Sequence, residues 1–98
     1  MTKNGSNKAM TSRHLYVTGR VQGVSFRAWT REQAQELGVS GWIRNRPDGS
    51  VETVISGASD AVEALIIALR KGPSAAKVED VRITATDAPA KPGFHIRD

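Results

Sequence analysis

The groups best suited to chemistry lie in one short stretch, Gly19-Arg20-Val21-Gln22-Gly23-Val24-Ser25-Phe26-Arg27. Its two glycines allow a turned backbone between a strand-like run and a helix-like run. A backbone turned in that way aims several N–H groups at one point, and the positive end of the helix dipole adds to them. The combination favours an anion, above all a phosphate. Arg27 brings a permanent positive charge and five donors in a fixed fork. A second candidate is Asn45, at the end of Gly41-Trp42-Ile43-Arg44-Asn45. Its amide accepts and donates hydrogen bonds at once, so it can fix a water molecule without taking its proton.

Other chemistries are poorly supplied. The glycine loop lacks the Gly-Lys-Ser/Thr ending of a Walker A loop and the G-x-G-x-x-G spacing of dinucleotide binders. The chain has no cysteine, which excludes disulfides and thiolate metal sites. His14 and His95 stand far apart without ligand spacing, so no metal site is expected and both read as strand residues. Ser25 lies in the loop, but no base is placed beside it for a covalent phosphoserine. Asp48 and Glu52 flank a turn and read as surface residues.

The elements that must position Arg27 and Asn45 follow from hydrophobic period. His14 to Gly19 alternates, with Leu15 and Val17 on one side, and predicts a half-buried strand. Phe26 to Leu37 predicts a helix with Phe26, Thr30, Ala34 and Leu37 on one face, Ser25 as N-cap and Gly38 just past its end. Trp29, off that stripe, is expected to pack at the edge of the helix–sheet interface. Residues 39–56 read as a β-hairpin turning at Pro47-Asp48-Gly49 and ending at Gly57. Val62, Leu65, Ile66 and Leu69 form the stripe of a second helix, opened by an Asp60/Glu63 capping box and stopped by Gly72-Pro73. Ala76 to Thr86 reads as a fourth strand through Val81, Ile83 and Ala85, and Phe94 to Arg97 as a short edge strand. Two helices with one apolar stripe each cover only one face of a sheet. The order β-α-β-β-α-β with a closing strand therefore predicts an α+β fold. It is a two-layer, ferredoxin-like sandwich with a mostly antiparallel sheet of four to five strands. The first strand is then interior, and the phosphate loop lies at its end.

At 98 residues the chain is expected to form one domain, residues 13–98, behind a flexible polar tail, residues 1–12. The net charge of +4 is concentrated at the front, where Lys3, Lys8 and Arg13 meet no acidic residue. The rest is nearly balanced, although Arg20, Arg27, Arg31, Arg44 and Arg46 cluster near the candidate site and could steer an anion. No apolar run is long enough to span a membrane, and residues 1–12 lack the apolar segment of a secretory signal, so a cytoplasmic protein is expected. A monomer is the default. Nucleic-acid binding is disfavoured, because no aromatic RNP pattern is visible in the strands.

Gly19–Arg27 and Gly41–Asn45 resemble the two signature segments of the acylphosphatases. Asp48-Gly49-Ser50-Val51-Glu52 and Phe94-His95-Ile96-Arg97 also resemble that family, and the likeness runs in order over about residues 13–97. The resemblance implies the ferredoxin-like sandwich and hydrolysis of an acyl phosphate to a carboxylate and inorganic phosphate. It implies that the backbone around Arg20, Val21, Gln22, Gly23 and Val24 cradles the phosphate with Arg27, and that Asn45 orients the attacking water. It implies no metal or organic cofactor, and a small-molecule acyl phosphate as the partner. A non-catalytic phosphate-binding module is the alternative reading of the same loop.

Overall fold

The computed structural model describes residues 9–87 and 91–98. Strand β1 (Met10–Arg20) leads through the glycine loop into helix α1 (Phe26–Leu37). Strands β2 (Ser40–Asn45) and β3 (Val51–Ala58) form the expected hairpin. Helix α2 (Ser59–Lys71), strand β4 (Lys77–Ala85) and strand β5 (Phe94–Arg97) complete the chain. The five strands make one sheet in the order β4-β1-β3-β2-β5. Every pairing is antiparallel except β2 with β5, which is parallel. The α+β sandwich is thus the one the element order predicts, with β1 inside the sheet.

One side of the sheet and the apolar stripes of both helices make the core. Leu15, Val17, Ile43, Val51 and Ile55 from the strands meet Phe26, Ala34, Val62, Leu65 and Leu69 from the helices, all buried. Burying the valine, leucine, isoleucine and phenylalanine side chains among these stabilises the fold by roughly 1.5–3 kcal/mol each before entropy is counted. Trp29 packs against Phe26 with ring centroids 5.6 Å apart, at the margin of this core. Gly38 closes α1 with φ 72°, and the Val39 N–H donates to the Ala34 carbonyl at 2.8 Å.

Several local expectations are corrected. Residues 10–12, assigned to a flexible tail, belong to β1 and pair with β3, Met10 opposite Ala58 and Ser12 opposite Ser56. Backbone pairing to a long neighbouring strand orders them, although their side chains bury little. The remainder of that expected tail, residues 1–8, lies outside the described residues. The Asp60/Glu63 capping box does not form. β3 runs straight through Gly57 into α2, whose N-cap is Ala58 with no side-chain cap bond. Asp60 sits inside the first turn, where its charge still suits the dipole. Ser25 is the N-cap of α1, as expected, and its carbonyl accepts from the Trp29 N–H at 3.0 Å, but its side chain makes no capping bond. In β4 only Val81 is buried, since an edge strand meets the core along a single neighbour, and Ile83 is 36% exposed.

Candidate active site

The loop between β1 and α1 begins at a β-bulge. The β1–β4 register shifts between Thr18 and Gly19, and Gly19 adopts φ 121°. A Cβ there would lie 2.1 Å from the Lys77 carbonyl oxygen, so the close approach of β4 requires glycine. Beyond the bulge, side chains alternate in purpose. Val21 is buried and Val24 packs against the core, which pins the loop from beneath. Gly23 is exposed at φ 75°, in the left-handed region that favours glycine. Ser25, at φ 61°, is the one non-glycine residue with positive φ among the described residues, and it turns the chain directly into α1.

Gln22 fixes the loop laterally. Its side-chain amide donates to the carbonyls of Arg46 and Ser50, both at 2.8 Å. Those carbonyls belong to the β2–β3 turn, which is closed by Arg46 N–H to Ser50 O at 2.8 Å and Gly49 N–H to Arg46 O at 3.1 Å. Asp48 completes the turn by accepting from the Ser50 N–H and hydroxyl, and these bonds hold its carboxyl below the usual carboxylate range. Sequence reasoning placed Gln22 in the loop for its backbone and missed this tether. The available signal was one long amide side chain among valines and glycines.

A cavity of about 340 Å³ opens between the loop, the start of α1 and the ends of β2 and β5. Arg27 and Asn45 both line it, with Val21, Gln22, Gly23 and Ile96. Helix α1 delivers Arg27 from its first turn, and β2 delivers Asn45 from its last position. The Arg27 guanidinium donates from Nη1 to the Arg97 carbonyl at 3.2 Å, which anchors it to β5 and leaves other N–H groups for the cavity. The Oδ1 of Asn45 is buried and has no hydrogen-bond partner among the described residues. Such an acceptor is costly to leave unsatisfied, and it is open to a donor that enters the cavity. Arg20 is exposed at the end of β1, paired with Lys77, and does not line the cavity. Val24 likewise faces the core rather than the cavity. Among the described residues no cluster of His, Asp or Glu could hold a metal ion.

Glu52, read from sequence as a surface residue, is only 5% exposed. Its carboxylate takes His14 Nε2 and Arg44 Nε, each at 2.7 Å, and Arg46 Nη1 at 3.2 Å. Burial alone would raise its pKa, but the bonds from Arg44, His14 and Arg46 outweigh it and hold the carboxyl below its ordinary value. This cluster lies on the side of the sheet away from the helices and steadies the strand that carries Asn45.

The acylphosphatase family model matches residues 13–96. An acylphosphatase from Rhodospirillum rubrum is 53% identical over 78 residues, covering 80% of this chain and 86% of its own. One from Haloarcula marismortui is 46% identical over 89 residues, covering 91% of this chain and 98% of its own. Among solved structures, an acylphosphatase from Coxiella burnetii superposes with a TM-score of 0.86 at 36% identity, covering 99% of this chain and 100% of its own. A loop tied to the β2–β3 turn, an arginine and an asparagine on one cavity, and relatives matched over most of their length lead to one conclusion: the chain belongs to the acylphosphatase family.

Proposed function

We propose that the chain hydrolyses acyl phosphates at this cavity. Arg27 and the backbone N–H groups of the loop hold the phosphate, chiefly those at Val21, Gln22 and Gly23, the members of the expected 20–24 cradle that line the cavity, and Asn45 orients the attacking water. The observation that carries the reading is the pairing of Arg27 with the unpartnered Asn45 Oδ1 on one cavity beside the loop. The water donates one hydrogen bond to Oδ1, which points an oxygen lone pair at phosphorus. A P–O bond forms from water as the bond to the acyl oxygen breaks, and the carboxylate leaves with the bonding pair. A carboxylate is a good leaving group, so little general-acid help is required. The water proton passes to a phosphate oxygen, which explains a site without a placed protein base. The loose transition state spreads charge over oxygens that the guanidinium fork and loop N–H groups hold more tightly than they hold the ground state. The same reading takes a small acyl phosphate as substrate and a cytoplasmic monomer as the working form. Among the described residues no helix is long and apolar enough to cross a membrane.

Hydrolysis of benzoyl phosphate, followed with and without EDTA, is the test. Arg27→Ala should lower kcat/KM by at least about 10²-fold, in line with a lost oxyanion donor. Arg27→Lys should not restore it, because an ammonium cannot replace the fork. Asn45→Ala should lower turnover more than phosphate affinity. Turnover like the parent protein's in either alanine variant would overturn these roles. Phosphate binding without any hydrolysis by the parent protein would leave a binding module instead.

A further inference from the structure

The helices leave one side of the sheet open, and the strand register lays two rows of side chains across it. One row runs Arg82, Tyr16, Glu52, Arg44, Arg97 over β4, β1, β3, β2 and β5. The next runs Thr84, His14, Val54, Trp42, His95 over the same strands. Four strand spacings make such a row about 19 Å long. The rings and guanidinium groups are stacked rather than scattered. Arg97 lies 4.5 Å and Arg44 5.8 Å from the Trp42 ring centroid, and Arg46 lies 5.1 Å from that of Tyr16. The buried Glu52 carboxylate beneath fixes Arg44 and Arg46. Each keeps further N–H donors, since a guanidinium carries five. Arg82 and Arg97 are exposed at opposite edges, and Arg82 has no ion pair among the described residues. A cleft of about 310 Å³ opens between Tyr16, Thr18, Arg46, Arg82 and Thr84. Asp48 also borders it, with its carboxylate engaged by Ser50 and 4.0 Å from Arg46 Nε.

We propose that this open sheet face, with Arg82, Arg46, Arg44 and Arg97 beside Tyr16, His14 and Trp42, binds single-stranded RNA. The chemistry that fits the face has anionic groups alternating with flat π surfaces. Guanidinium planes and aromatic rings stack unpaired bases, while their outward N–H groups hold phosphates. A duplex hides its base faces, and a sulfated polysaccharide has none, so neither satisfies both kinds of group. The aromatic pattern was hidden in the sequence because its three rings come from two strands that are not neighbours, β1 and β2, with β3 between them. The face lies across the sheet from the helices, and its function does not depend on the hydrolytic cavity.

Fluorescence anisotropy of the full chain with a labelled, uridine-rich RNA of about 12 nucleotides tests the proposal. Binding should be saturable at ~50 mM salt and weaken steeply as salt rises. Arg82→Gln alters an exposed side chain that has no ion pair among the described residues. It should reduce the slope of log affinity against log salt by about one. Trp42→Leu should weaken binding about 10-fold through lost stacking. Both variants should hydrolyse benzoyl phosphate as the parent does, and circular dichroism should show both folded. Four results would overturn the proposal: no binding at ~100 µM protein, equal binding of heparin or duplex RNA, unchanged affinity in both variants, or binding abolished by deleting residues 2–8.

Discussion

Removing the Gln22 side-chain amide tests whether the β1–α1 loop, the proposed phosphate cradle, is held in shape by its neighbours or by its own sequence. Gln22→Ala deletes two hydrogen bonds of 2.8 Å, to the carbonyls of Arg46 and Ser50. Both carbonyls keep a backbone partner in the β2–β3 turn, Ser50 O from the Arg46 N–H and Arg46 O from the Gly49 N–H. The turn therefore survives, and the loss falls on the loop. At about 1 kcal/mol net for each bond, the substitution removes roughly 2 kcal/mol of loop order. Val21 and Val24 still pin the loop from beneath, so global stability should fall by less than that. The remainder should appear as weaker binding: KM for benzoyl phosphate and the inhibition constant for inorganic phosphate should both rise, by about 5- to 30-fold at the full 1–2 kcal/mol. Gln22→Glu is the sharper variant. It has nearly the same shape, but it points a carboxylate oxygen at two carbonyl oxygens and should be worse than alanine. Steady-state kinetics with phosphate as competitor, beside thermal unfolding, separate the two effects. If both variants keep KM and phosphate inhibition within twofold of the parent, the tether does not shape the loop and the reasoning fails.

Other perturbations have equally direct readouts. Gly23→Ala meets no atom within 4 Å but must hold φ 75°. It should cost about 1–2 kcal/mol, read as weaker phosphate inhibition with a nearly intact fold. Gly19→Ala drives a Cβ against the Lys77 carbonyl and should shift the thermal midpoint itself, through the β1–β4 bulge. Leu65→Ala, at a fully buried position of α2, should destabilise by about 2–5 kcal/mol in urea unfolding, with little effect on KM. Glu52→Gln should cost about 1–3 kcal/mol at neutral pH, because charged bonds to His14, Arg44 and Arg46 lose their acceptor charge. The folded carboxyl titrates below its ordinary 4.5, so the unfolded chain binds the proton more readily and Glu52 stabilises fully only above that pH. The gap in stability between parent and Glu52→Gln should close as pH falls from 4.5 through the lower folded value.

Much of the architecture was legible because it rests on local period. The limits of α1 follow from its stripe and from Gly38, and the hairpin follows from Pro47-Asp48-Gly49 between two alternating runs. The meeting of Arg27 and Asn45 was legible through their places at the start of a helix and the end of a strand that pack together. What stayed hidden depends on which strand lies beside which. Glu52 reads as a surface residue until the register sets it between Tyr16 and Arg44, under two guanidinium groups. Met10 to Ser12 are ordered by pairing with β3, a partner more than forty residues away in sequence. The capping box failed for a local reason of another kind. A strand that runs directly into a helix leaves Asp60 already inside the first turn, too late to cap it.

The bond from Arg27 to the Arg97 carbonyl ties the reacting cavity to a strand of four residues at the sheet's edge. β5 is short and pairs on one side only, with β2, so it is expected to open at lower free energy than the central strands. Each fraying of that strand releases the guanidinium from its orientation while the rest of the sheet stays intact. On heating, the rate of hydrolysis should therefore decline before the circular dichroism signal does. Hydrogen exchange at the β5 amides should follow the loss of activity, not the loss of fold. The tolerance of Arg27 to temperature is then set by its weakest neighbour, not by the stability of the core.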